Sequence, residues 1–124
     1  MLKIIFVGLG GFAGSVSRYL LAGWIQKLFD KPYPYGTFTV NILGCLLIGL
    51  LAGLSQGKHY ISPETRLLIL VGFLGGFTTF STFSSETFAL LADGQMLTAS
   101  INIAASIVFG LVAVWLGYTI SNLI

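Results

Sequence analysis

From Phe77 to Phe88 the chain reads Phe-Thr-Thr-Phe-Ser-Thr-Phe-Ser-Ser-Glu-Thr-Phe, with Phe77, Phe80 and Phe83 recurring every three residues. Seven of the ten positions from Thr78 to Thr87 carry a hydroxyl. Hydroxyls donate hydrogen bonds and a phenyl ring presents a positive edge. Together they can replace part of a small anion's hydration shell without a full charge, which would hold the ion too tightly to move. Glu86 fits this chemistry awkwardly, because a bare carboxylate repels anions. Protonation, capping by neighbours or a position at a pathway mouth would each reconcile it, and the residues alone leave the three open. The plainer alternative is a Phe/Ser/Thr helix packed for shape, which would have to find buried partners for many hydroxyls.

On a helical grid Thr79, Thr82, Phe83 and Glu86 share one face, while Phe80, Phe83 and Thr87 share an adjoining one. Just before the run stands Gly72-Phe73-Leu74-Gly75-Gly76, three glycines in five residues, which predicts a break over Gly75 to Thr78 that frees backbone carbonyls. Arg18 and Glu86 are the charges inside apolar stretches, where each costs about 2.5 to 3.5 kcal/mol on insertion scales and must face water, a partner or a pathway. Gly14, Ser17 and Arg18 share a helical face, leaving room for water or an anion; the alternative is an arginine snorkelling to a headgroup. Further along, Thr37, Asn41, Gly44 and Cys45 form one stripe, and Asn102, Ala105, Ser106, Phe109, Gly110 and Ala113 another. Two helices that each offer an amide and a hydroxyl point to a shared polar seam, which helix packing alone would also explain.

The elements that must carry these groups follow from composition. The 124 residues are 56% hydrophobic and only 8% charged, with six Lys+Arg, four Asp+Glu and 16 glycines, and the mean hydropathy is +0.94. A soluble domain needs about 25% charged residues, so most of this surface faces lipid. The three prolines, Pro32, Pro34 and Pro63, mark the breaks. Spans are expected at 4–26, 36–54, 66–91 and 96–121, each long enough to cross a hydrocarbon core of about 30 Å. Loops fall at Lys27 to Tyr35 and Ser55 to Thr65, with a turn at Asp93-Gly94. Only helices satisfy the backbone in lipid at this span length, so the expected fold is all-α, a single four-helix membrane domain over 1–124. The first span is expected to be retained, since no small-residue cleavage site follows it.

Other classes drop out. The lone Cys45 can form no intrachain disulfide or metal pair, and the lone His59 cannot complete a zinc site with it. A net charge of +2 is too slight and scattered for nucleic acid. Four crossings put both termini on one side, with Lys3, Lys58 and Arg66, against Lys27 and Lys31 on the other. Three against two is almost no orientation bias, so copies can insert both ways and pair about a two-fold axis in the membrane plane, unless one charge suffices to orient the chain. Gly10/Gly14, Gly49/Gly53 and Gly72/Gly76 are small-xxx-small pairs suited to close helix packing, within the chain or between copies.

Gly14-x-x-x-Arg18, then Gly36-Thr37-x-x-Val40-Asn41-x-x-Gly44, then Gly72-Phe73-x-Gly75-Gly76-x-Thr78-Thr79-Phe80-Ser81-Thr82-Phe83-Ser84-x-Glu86 resembles the Fluc (CrcB) fluoride channels across essentially the whole chain. The third block is long and specific. The resemblance implies a small antiparallel, dual-orientation homodimer in the bacterial inner membrane that passively exports cytoplasmic fluoride and so protects the cell from it. It implies that Phe80 and Phe83 hold fluoride by their ring edges, with Asn41 a donor beside them and Ser81 and Thr82 supplying hydroxyls. Thr37, Asn102 and Ser106 would be further lining and Arg18 would belong to an aqueous vestibule. It also implies a structural sodium ion at the dimer centre, held by the backbone carbonyls of Gly75 and Thr78 from each copy. Asn102 stands where many members carry an aromatic ring.

Two other classes fit these residues less well. A small four-helix proton-coupled multidrug exporter has a similar length and span number but relies on an early membrane carboxylate, and the first span here has none. A scaffold subunit would need no hydroxyl and phenylalanine run. No GxxxxGK[ST] is present to support ATP-driven pumping.

Overall fold

The computed structural model of the chain describes residues 1–56 and 61–124. Lys58, counted above for orientation, and His59 lie outside the described residues. Every regular element among the described residues is helical. Helix α1, Leu2–Leu28, runs until Pro32 and Pro34 make continuation impossible, with Lys27 in its last turn complementing the carbonyl end of the helix dipole. Helix α2 is Tyr35–Gln56. The third crossing starts at Pro63, three residues before the span expected from hydropathy, because Ser62 caps it. The Ser62 hydroxyl accepts from the Thr65 N–H, Pro63 occupies the first turn and Glu64 sits at the positive end of the dipole. We label the helical segment over 63–77 α3; its middle, Leu67–Leu74, is wound as a π-helix.

Gly72, Gly75 and Gly76 lie within helix, and the extended backbone falls instead at Thr78 and Thr79. Helix α4, Phe80–Ala92, then resumes with the Thr79 side chain as its cap. Asp93-Gly94 turns the chain, Gly94 taking a φ of +75° that other residues rarely adopt. Helix α5, Met96–Ser121, completes four crossings long and apolar enough to traverse a membrane.

Packing pairs α1 with α3 and α2 with α5. The three glycine pairs are all spent inside the chain. A Cβ on Gly14 would overlap the Phe73 carbonyl, and one on Gly49 would overlap the Val114 carbonyl. Gly72 and Gly76 return the fit, lying against Val7 and Gly11. Lipid tails are as apolar as leucine, so helices gain little by burying leucine against leucine; close backbone approach supplies the attraction instead. Large apolar side chains accordingly point outward: Phe12, Leu97, Leu111 and Trp115 are exposed, while Val40 and Ala99 are fully enclosed.

Candidate functional site

The extended pair Thr78 and Thr79 is held by a side chain from the neighbouring helix. Asn41 on α2 accepts from the Thr79 N–H through Oδ1 at 2.8 Å and donates through Nδ2 to the Thr79 carbonyl at 3.1 Å. An amide thus pairs with a peptide group as a strand neighbour would, satisfying both polar atoms where the helix is interrupted. Carbonyls at the end of α3 lose their usual helical donors in consequence, those of Gly75 and Thr78 among them. The donor four residues beyond Gly75 is the Thr79 N–H, given to Asn41, and the one four beyond Thr78 is the Thr82 N–H, given to the Thr79 hydroxyl at 3.2 Å.

Two cavities flank this point, and Thr79 lines both. The first, about 580 Å³, is walled by α1, the first loop and α4, and gathers Arg18, Gln26, Thr37, Thr82 and Glu86. Glu86 is capped: Thr37 Oγ1 donates to its Oε1 at 2.8 Å, while Oε2 is buried with no protein partner. Arg18 Nε, at the same cavity, is likewise buried and unpartnered. The second cavity, about 440 Å³, is more apolar and brings together Asn41, Cys45, Gly75, Phe80, Phe83 and Ser106. The Phe80 and Phe83 rings stand 5.8 Å apart with planes at 40°. Asn41 Nδ2 retains a second N–H beyond the one given to Thr79. Phe80 is 80% exposed on the single chain, so its ring faces away from the four crossings.

This arrangement divides the residues singled out from sequence. Phe80, Phe83, Asn41 and Ser106 share one cavity, and Arg18, Thr37, Thr82 and Glu86 the other. Ser81 lines neither; its hydroxyl lies 3.4 Å from that of Thr79 at the surface. Asn102 also lines neither, being 1% exposed with its amide committed to the Thr87 hydroxyl at 2.9 Å. Among the described residues no cluster of three His, Cys, Asp or Glu side chains could hold a metal ion.

Residues 5–118 match the family model described as CrcB-like protein, Camphor Resistance (CrcB). The chain belongs to the CrcB family. Relatives agree in length as well as sequence. A protein of Geotalea daltonii named fluoride-specific ion channel FluC is 49% identical over 117 residues, covering 94% of each chain. A FluC of Geotalea uraniireducens is 46% identical with 98% of both chains covered. One from Methanosarcina acetivorans, FluC 1, is 45% identical over 94% of this chain and 88% of its own.

Three roles at the site of this CrcB chain come from the structure alone, those of Thr79, Thr87 and Gln26. Thr79 caps α4 and borders both cavities; its signal was a threonine directly before the resumption of helix. Thr87 was placed on a face without its partner, since a bond to a residue 15 positions away leaves no local trace. Gln26 clamps the first loop, donating to the Tyr33 carbonyl at 3.1 Å and accepting from the Gly36 N–H at 3.1 Å, so one side chain at the end of α1 sets the cavity wall.

Proposed function

We propose that this chain forms a fluoride-selective channel that lets cytoplasmic fluoride leave the cell passively and thereby limits its toxicity. The names of the relatives support the ion, and one observation supports the mechanism: the paired Phe80 and Phe83 rings lie on a cavity with the amide of Asn41 and the hydroxyl of Ser106. Fluoride is small and a strong hydrogen-bond acceptor. Ring edges and neutral donors compensate its lost water while leaving the ion free to move on. Arg18 draws anions into the first cavity, and Thr37 and Thr82 supply hydroxyls along it. Glu86, held by Thr37, has part of its charge compensated, which lessens its repulsion of anions.

The reading extends to an antiparallel homodimer in the bacterial inner membrane. Phe80 faces away from its own chain and a Cβ on Gly75 would meet nothing within 4 Å, so the second cavity is open on the side where another copy would close it. A structural sodium ion would suit the same place. The carbonyls of Gly75 and Thr78, deprived of their helical donors, are hard oxygens of the kind a small cation prefers, and two copies would offer four. The ion's contribution would be to neutralise those dipoles and tie the copies together.

The test is anion efflux from liposomes containing only this purified protein, in sodium-containing buffer. Rapid fluoride release with chloride retained is the expected result. Equal release of both, or of neither, would remove the channel reading.

A further inference from the structure

Helix α4 carries both phenylalanines, yet little apolar packing fixes it. It packs against α5 and α2 alone among the described residues, and Phe80 and Phe88 are more than two-thirds exposed. Three hydrogen-bonded links hold it instead. Asn41 grips Thr79 at its start, Thr37 grips Glu86 in its second turn, and both come from α2. The remaining link, from the other side, is Asn102 on α5.

That third link is directional. Thr87 and Asn102 are both buried, at 6% and 1% exposure. The Thr87 hydroxyl gives its single proton to the Phe83 carbonyl at 2.7 Å, so toward Asn102 it can act only as acceptor, and Nδ2 of Asn102 supplies the donor at 2.9 Å. The chain of bonds therefore runs from α5 through Thr87 to the peptide group of Phe83 itself. Any rotation of α4 about its axis that re-aims the ring edges has to break this link, and in lipid no water replaces it.

We propose that Asn102, acting through Thr87, is a positioning residue that sets the orientation of the Phe83 and Phe80 rings toward the ion, and does not line the pathway. The proposal rests on the fluoride-channel reading. It separates two roles for one bond, stabilising the fold and aiming the rings, which a pair of apolar replacements can divide. Thr87→Val alone strands the buried Asn102 amide and costs both stability and flux, whereas Asn102→Leu leaves the Thr87 hydroxyl on its Phe83 carbonyl and cuts only the link to α5. The double replacement Thr87→Val with Asn102→Leu leaves neither group stranded, so stability returns.

Wild-type efflux of fluoride and chloride is measured first in the same vesicles; its failure would strike the channel reading and not this one. Thermal stability in detergent, backbone amide exchange over 80–87 and fluoride efflux are then compared across the variants. The double variant is expected to recover stability while amide exchange stays raised and fluoride flux stays reduced about tenfold, with weaker preference over chloride. Thr87→Ser, which keeps the hydroxyl, is expected to behave as wild type on all three. Flux that returns together with stability in the double variant, or an Asn102→Leu protein with unchanged flux and selectivity, would overturn the proposal. The amide-exchange arm reads the link without relying on conduction, so it decides even where a single variant assembles poorly.

Discussion

Isoleucine at position 80 or 83 keeps apolar bulk and removes the ring's positive edge, which makes it the sharpest probe of how this chain handles an ion. Phe80 is 80% exposed on the single chain, so its replacement leaves little of the chain's own packing to repair. Phe80→Ile and Phe83→Ile are therefore expected to assemble normally and to lose fluoride efflux by at least about tenfold, since part of the ion's hydration goes uncompensated. Size-exclusion profiles beside liposome efflux check both halves. Near-normal efflux from an intact Phe83→Ile protein would assign the selectivity to Asn41 and the hydroxyls. The contrast with Asn41 is instructive. The family resemblance implies Asn41 as a donor for an ion, and one of its N–H groups remains for that, but most of its capacity is spent on the Thr79 backbone.

At the scale of the helices the glycines decide. Gly14→Val would drive a branched side chain into the Phe73 carbonyl and the Phe77 backbone, which cannot move without shifting α3 and the Thr78–Thr79 junction beyond it. Overpacking of this kind typically costs about 1 to 3 kcal/mol, and more where the obstacle is main chain. A fall in melting temperature and loss of monodispersity are expected, whereas Gly23→Ala, whose Cβ meets nothing within 4 Å, should leave both unchanged. The same contrast explains what was legible in the sequence. Prolines and charges delimit most of the crossings within a few residues, because a charge is costly in lipid and a proline interrupts the helical hydrogen bonds. The Gly72 to Gly76 run reads as a place where helix ends, but glycine is also what a helix needs where another backbone must approach, and Gly72 and Gly76 serve that use against α1. The start of α3 was readable in Ser62-Pro63-Glu64, a capping pattern that hydropathy overlooks. Asn102 sits on a polar stripe, yet only its partner Thr87 distinguishes a link between helices from a lining residue, and that pairing belongs to the tertiary structure.

For the whole molecule the expected arrangement is two copies inserted in opposite directions. Cysteine placed at Asp30 in the first loop, or at Glu64 at the start of α3, in a Cys45→Ser background, lies on opposite membrane sides of a four-crossing chain. An impermeant thiol reagent applied to intact cells should label part of the population at each position. Complete labelling at one and none at the other would exclude mixed orientation. The glycine-to-carbonyl packing carries a further consequence for the thermodynamics of such a chain. Soluble domains owe the curvature of their stability with temperature to apolar surface that meets water on unfolding. Here the separated helices stay in lipid, and what parts is backbone from backbone, with almost no apolar surface passing into water. The heat-capacity change on dissociation is accordingly small, stability falls almost in a straight line with heating, and cooling brings no second melting.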